Sequence, residues 1–64
     1  MAETGQNVIL EFQTIGNSVK VTAIDPVTLV EVSVVGSASA GERALGRLAV
    51  RKLEYMLAKR RGAT

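Results

Sequence analysis

The residues of this chain that are best suited to chemistry are basic ones in its C-terminal third. Arg43, Arg47 and Arg51 recur at every fourth position, which on a helix places three guanidinium groups along one face. A row of this kind binds phosphates by charge. The candidate nucleic-acid contacts are Arg43, Arg47, Arg51, Lys59, Arg60 and Arg61.

An Arg-rich helix face exposed to water explains the same pattern. Seven of the eight Lys and Arg residues lie within residues 42–64, although the whole chain carries a net charge of only +2. Glu54 interrupts the basic face, and no aromatic side chain is interleaved with it for base stacking. Nucleic-acid binding is therefore the alternative function in this interpretation.

Enzymatic chemistry lacks its usual groups. The chain contains neither His nor Cys, so it has no common general base and no thiolate. Its serines have no partner base, and its six acidic residues are scattered along the chain rather than clustered as metal ligands would be. We therefore expect a small non-enzymatic interaction or structural module, with no catalytic residue, metal or cofactor.

The segment Gly36–Gly41, with Gly at both ends, superficially resembles a phosphate-binding loop before a helix. It contains neither the P-loop motif nor the dinucleotide-binding motif, so we interpret it as a flexible connection. Tyr55 lies at the edge of the predicted helix, where it is expected to be a core or interface residue rather than a catalytic acid.

A β-hairpin is the most strongly predicted element. Alternating apolar residues begin near Asn7, and Gly16-Asn17 suits a two-residue hairpin turn. With those two residues as the loop, Ile15 pairs with Ser18 and Phe12 with Val21. The apolar residues of both strands then fall on one face, and a slip by one residue would destroy this match.

The remaining elements complete an α+β fold, a three-stranded antiparallel β-meander followed by one C-terminal α-helix. Asp25–Thr28 is expected to form a type I turn, and residues 29–35 a third strand. Ser39 and Glu42 match a capping box, which predicts a helix over residues 40–61. The single domain then covers residues 7–61, with residues 1–6 and 62–64 predicted to be disordered.

The apolar arc of this helix is wider than one small sheet requires. The arc covers more than half of the circumference, whereas a helix on a sheet needs a stripe of about 100° or somewhat more. A chain of 64 residues also has a marginal core. We therefore expect a homodimer, and the predicted interface residues are Leu45, Leu48, Leu53, Met56 and Leu57. The small residues before the helix would also permit domain swapping, which the sequence leaves open.

One charged residue lies among the apolar residues of the helix. Lys52 falls within the apolar arc and is expected to extend past it to water, or to pair with an acid.

The sequence contains no sign of membrane insertion or export. No apolar stretch approaches the roughly 20 residues of a membrane span, and the N-terminus lacks the pattern of a signal peptide. A cytoplasmic protein that is not bound to a membrane is expected.

Three segments, Leu10–Phe12, Ile15–Thr28 and Arg47–Tyr55, are distinctive. Through them the chain resembles, over nearly all of residues 8–60, a family of short uncharacterised alphaproteobacterial proteins. The resemblance implies a stand-alone bacterial cytoplasmic protein of about this length. It implies no activity, cofactor or binding residue.

Overall fold

The computed structural model describes residues 7–62, with side chains described for residues 7–60. It contains a three-stranded antiparallel sheet in the order β1-β2-β3, followed by one helix, so the predicted α+β fold is confirmed. The elements are β1 (Ile9–Ile15), β2 (Ser18–Ile24), β3 (Glu31–Ser37), a 3-10 turn (Ala38–Ala40) and α1 (Glu42–Gly62). Residues 1–6, 63 and 64, predicted to be disordered, lie outside the described residues. Gly62, assigned to the same disordered end, is the last residue of α1.

The hairpin between β1 and β2 has the predicted register. Ile15 pairs with Ser18 and Phe12 with Val21, and the pairing continues without a break to Ile9 and Ile24. Gly16 adopts a φ of 59°, which a glycine tolerates without steric cost. The turn chemistry and the alternation of apolar residues therefore fix the same register.

The connection between β2 and β3 is longer than predicted. The Leu29 amide donates to the Asp25 carbonyl oxygen over 2.7 Å, and the Asp25 amide donates to the Val30 carbonyl oxygen over 2.9 Å. Leu29 has a φ of 66°, so it cannot begin a strand. The prediction that β3 begins at Leu29 is therefore wrong, and the strand begins at Glu31.

The predicted capping box is also wrong. Ser39 lies in the 3-10 turn, where its amide donates to the Ser37 side-chain oxygen over 3.2 Å. The first turn of α1 uses the Gly41 carbonyl instead, which accepts from the Leu45 amide over 3.1 Å. Gly41 has a φ of 90°, and this backbone conformation separates the 3-10 turn from α1. The helix therefore begins at Glu42 and not at Ala40.

The core lies between the sheet and α1. Its buried residues are Val19, Val21, Ala23, Leu45, Ala49 and Leu53. Leu45 and Leu53, which were predicted to form a dimer interface, therefore pack against the chain's own sheet. A period-3.6 pattern marks burial without showing what covers it, so an interface between copies at these two residues stays a prediction.

Candidate binding groove

The helix does not lie centrally on the sheet. It packs mainly against β2 and β3. Gly36 on β3 allows this position, because a Cβ at Gly36 would collide with the Cδ2 atom of Leu45. The side chain of Leu45 thus lies directly on the backbone of β3, and the inner face of β1 is left partly uncovered.

The uncovered face of β1 forms one wall of a groove against α1. The groove has a volume of about 530 Å³. Its lining residues come from β1 and from the first half of α1: Leu10, Phe12, Glu42, Arg43, Gly46, Arg47, Val50 and Arg51. Phe12 leaves 39% of its surface exposed there. We call this feature the β1–α1 groove.

Gly46 on α1 faces the side chains of Leu10 and Phe12 on β1 across the groove. A Cβ built on Gly46 would lie 3.4 Å from Leu10 Cδ1 and 3.5 Å from Phe12 Cζ, which are ordinary van der Waals separations. Alanine would therefore fit, and in a helix interior it is about 0.8–1 kcal/mol more favourable than glycine. Packing does not require a glycine here, but the absence of a side chain leaves the groove wider.

Arginine side chains border the groove on its helix side. Arg43, Arg47 and Arg51 all line it, and we call them the arginine rim. All three are exposed, and Arg43 and Arg51 are about 12 Å apart along the helix axis. Glu42, in the first turn of α1, is the acidic residue of the lining. The groove therefore combines an apolar floor with a positively charged border.

Five of the six predicted basic residues fall into two groups in the structure. The arginine rim lies beside the groove. Lys59 and Arg60 are exposed beyond Leu57, which is the last helix residue that packs against the core. The side chain of Arg61 lies outside the described residues. The use of these residues as nucleic-acid contacts stays a prediction.

The other predicted interface residues differ in their exposure. Leu48 is 53% exposed, whereas Met56 and Leu57 are half-buried and Leu57 packs against the core. Tyr55 is 64% exposed. It is therefore not a core residue, which was one of the two roles predicted for it. Only Leu48 and Tyr55 remain as large exposed apolar side chains on the described part of α1.

Lys52 has a contact that the sequence did not predict. Its Nζ atom donates a hydrogen bond to the backbone carbonyl oxygen of Ser33 over 2.9 Å. The side chain does leave the apolar arc, as expected. Its partner is a carbonyl of the edge strand β3, and not an acidic side chain.

In the loop after β2, the carboxyl group of Asp25 has a lowered pKa. The Thr28 hydroxyl donates to Asp25 Oδ2 over 2.7 Å, and the Val27 amide donates to Asp25 Oδ1 over 3.4 Å. The Thr28 hydroxyl bond is the main cause that lowers the pKa of Asp25 below its usual value, because it stabilises the charged form. The arrangement holds the loop together and lies apart from the groove lining.

The described residues contain neither a metal-binding cluster nor a membrane-spanning helix. Within residues 7–60, no group of three or more acidic, His or Cys side chains is placed to hold a metal ion. Among the described residues, α1 is too polar to cross a membrane.

The apolar part of the groove is not predictable from the sequence. The pattern places Leu10, Phe12 and Val50 on strand and helix faces, and it does not indicate that they remain accessible together. One signal was present in Gly46, a glycine in the middle of a segment of good helix formers. The sideways position of α1 on the sheet is a tertiary property that no local pattern carries.

The model of a family described as a domain of unknown function, DUF6898, matches residues 5–60. No curated protein and no solved structure matches the chain.

Proposed function

Because the chain belongs to the DUF6898 family, whose function is unknown, we propose from the geometry alone that it is a small non-enzymatic interaction module. Its proposed binding site is the β1–α1 groove. Its proposed ligand is a protein segment that carries both acidic and apolar side chains. The observation that supports this most directly is the accessible apolar floor at Phe12, bordered by the arginine rim.

The chemistry of the groove defines the partner. An apolar side chain that enters beside Phe12 and Val50 is removed from water, which is favourable by about 25 cal/mol per Å². Carboxylates at the border accept charge-assisted hydrogen bonds from guanidinium groups, which bind them in a bidentate manner. An acidic segment without apolar residues would use only the border, and a purely apolar segment would use only the floor.

The loss of helix stability caused by Gly46 gives independent support to a binding site in the groove. Alanine at this position would stabilise the helix and would fit against Leu10 and Phe12. A residue that is suboptimal for stability and widens a cavity is typical of a site kept open for a ligand.

A synthetic peptide tests the proposal. The probe is acetyl-Thr-Glu-Thr-Val-Thr-Glu-Thr-amide, and the control probe has lysines in place of both glutamates. Titration of the isotope-labelled full chain is followed by amide chemical shifts in NMR spectra. We expect saturable shifts at residues 10–13 and 43–51 with the acidic probe, and none with the lysine probe. The absence of shifts at these residues with the acidic probe would contradict the proposal.

Paired charge variants provide the matched control. Arg43→Gln with Arg47→Gln removes two charges from the arginine rim, whereas Lys59→Gln with Arg60→Gln removes two charges beyond the core. Exposed ion pairs contribute about 0.2–1 kcal/mol each, so we expect the first pair to weaken binding about fivefold. The second pair of substitutions is expected to change the affinity for the acidic probe less than twofold. Equal losses of affinity in both variants would indicate that the net charge of the protein alone attracts the peptide.

Single-stranded nucleic acid is the second candidate ligand. The structure provides one aromatic side chain, Phe12, beside the arginine rim, and stacking of a base on an aromatic ring is typical of such sites. However, the Cζ end of the Phe12 ring points towards Gly46, and the rest of the floor is aliphatic. A ten-nucleotide oligothymidine, titrated in the same way, tests this candidate. Shifts at Phe12 that disappear at high salt would support it.

A homodimer remains part of the proposal, on a smaller surface than predicted. Leu48 and Tyr55 are seven residues apart and lie on the same side of α1, where they support a contact between the helices of two copies. Such a contact would lie beside the arginine rim, because Arg47 and Arg51 also line a hollow with Leu48. Helix exchange remains a prediction, in which Leu45 and Leu53 would pack against the partner's sheet. Light scattering at several concentrations tests whether the mass is that of one copy or two.

A further inference from the structure

The two edges of the sheet differ in their accessibility. At the β3 edge, the Nζ atom of Lys52 donates to the Ser33 carbonyl oxygen over 2.9 Å. A lysine that reaches across an edge strand is a known means of blocking the addition of another strand. The β3 edge is therefore occupied by a charged side chain at its centre.

The hydrogen-bonding pattern explains why the Ser33 carbonyl is available to Lys52. Residues of an antiparallel pair alternate between those that face the partner strand and those that face away. A two-residue turn begins with a hydrogen bond between its flanking residues, here Ile15 and Ser18. The alternation then directs the backbone groups of Thr22 towards β1, so those of Ser33, its partner on the other side, point to the free edge.

The same alternation identifies the free groups of the β1 edge. Since Ile15 faces β2, the backbone groups of Leu10, Phe12 and Thr14 point away from the sheet. In the described structure no strand pairs with this edge. The side chains of Leu10 and Phe12 line the β1–α1 groove, so the free edge and the groove are formed by the same residues.

We propose that the partner segment binds as a fourth strand, which pairs with the free edge of β1 and directs alternate side chains into the β1–α1 groove. This inference rests on the proposed function and adds the binding mode to it. Strand addition supplies backbone hydrogen bonds for affinity, and the groove selects the alternate side chains.

The dimensions of the groove specify the pattern of the partner. Side chains on one face of a strand are about 6.8 Å apart, so two that are separated by four residues lie about 13–14 Å apart. Arg43 and Arg51 are separated by about 12 Å along α1. Carboxylates at these two positions reach both ends of the arginine rim, and an apolar side chain between them lies beside Phe12. The recognised pattern is acidic-x-apolar-x-acidic, which the probe peptide contains.

A second copy of this chain fits the edge less well than an acidic segment. Pairing of two β1 strands would bring two arginine rims to one cleft, and each lining contributes only Glu42 as an acid. The repulsion between the two sets of arginines disfavours pairing of two β1 strands. The charge of the groove therefore selects an acidic partner over a second copy.

Backbone methylation of the probe peptide tests strand addition without changing a side chain. In a paired strand, one alternate set of N–H groups points to β1 and the other to water. One methylated probe carries N-methyl groups on the valine and one glutamate, and the other carries them on the two central threonines. We expect one of these probes to bind at least tenfold more weakly than the unmethylated peptide, because two hydrogen bonds are lost. The other is expected to bind within threefold of it.

The results distinguish this proposal from the proposed function. If the unmethylated peptide does not bind, the proposed function fails. If it binds and both methylated probes bind equally well, strand addition is overturned while groove binding stands. Shifts centred on residues 31–37 would also overturn it, because they would place the peptide at the β3 edge. If the protein without peptide has the mass of a dimer and its Phe12 and Thr14 amides exchange slowly, the β1 edge pairs with a second copy. This result would also overturn strand addition by the partner segment.

Discussion

Phe12 on β1 points its Cζ atom towards Gly46 on α1, so closely that a Cβ on Gly46 would lie 3.5 Å away. This separation is an ordinary van der Waals contact, so the two walls leave room for one methyl group at this point. The space between the two walls at this point depends on Gly46, a residue with no side chain.

We predict that Gly46→Ala stabilises the protein and weakens its binding. Alanine removes the helix penalty of glycine, so the free energy of unfolding should rise by about 0.5–1 kcal/mol in urea denaturation. The added methyl group narrows the groove, so the affinity for the probe peptide should fall.

Gly46→Leu provides a graded comparison for this prediction. The larger side chain fills the groove floor and should abolish peptide binding while the chain remains folded. A Gly46→Leu protein that binds the peptide as tightly as the unmodified chain would show that the groove is not the binding site.

We predict that Gly36→Ala destabilises the protein. The new Cβ would collide with Leu45, which is buried and cannot move away freely. Overpacking of this kind typically costs about 1–3 kcal/mol, measured as a loss in the free energy of unfolding. In a Leu45→Ala background the same substitution should cost much less. Equal losses in both backgrounds would mean that the helix is not seated on Gly36.

We predict opposite outcomes for two aspartate substitutions on α1. Leu53 is fully buried, so Leu53→Asp places a charge in the core and should abolish cooperative unfolding. Leu48 is exposed, so Leu48→Asp should leave thermal unfolding nearly unchanged. If two copies associate through α1, Leu48→Asp should also reduce the mass in light scattering to that of one copy. A folded, unchanged Leu53→Asp protein would contradict the described core.

We predict a pH effect at the β2–β3 loop. The pKa of Asp25 is lower in the folded chain, mainly through the Thr28 hydroxyl bond. A lowered pKa stabilises the fold above the ordinary pKa of about 3.9, and this contribution disappears as pH falls through the folded value. Thr28→Val should therefore raise the pKa of Asp25 in an NMR titration, whereas Thr28→Ser should keep it low. An unchanged pKa in Thr28→Val would exclude the hydroxyl as its cause.

The hairpin was predictable because two local signals agree. The turn residues Gly16 and Asn17 and the alternation of apolar residues each specify the same register, and the structure has it. The β2–β3 loop was not predictable to the residue, because Leu29 adopts a positive φ that leucine seldom takes. Only the hydrogen bonds of Asp25 and Thr28, which form in the folded loop, reveal that β3 begins at Glu31.

Of the candidate site, the charged part is predictable from the sequence and the apolar part is not. The spacing of the arginine rim follows from the sequence, because residues four apart lie on one side of a helix. Its apolar neighbours on β1 do not, because they depend on the sideways position of α1. That position is set by the contact of Leu45 with Gly36, two residues nine apart in sequence whose packing no periodicity indicates.

Nuclear Overhauser effects between the probe peptide and the protein would locate the bound peptide directly. We expect contacts between the valine methyl protons of the peptide and the ring protons of Phe12. Contacts confined to Leu48 and Tyr55, or a bound peptide with no contact to Phe12, would contradict it.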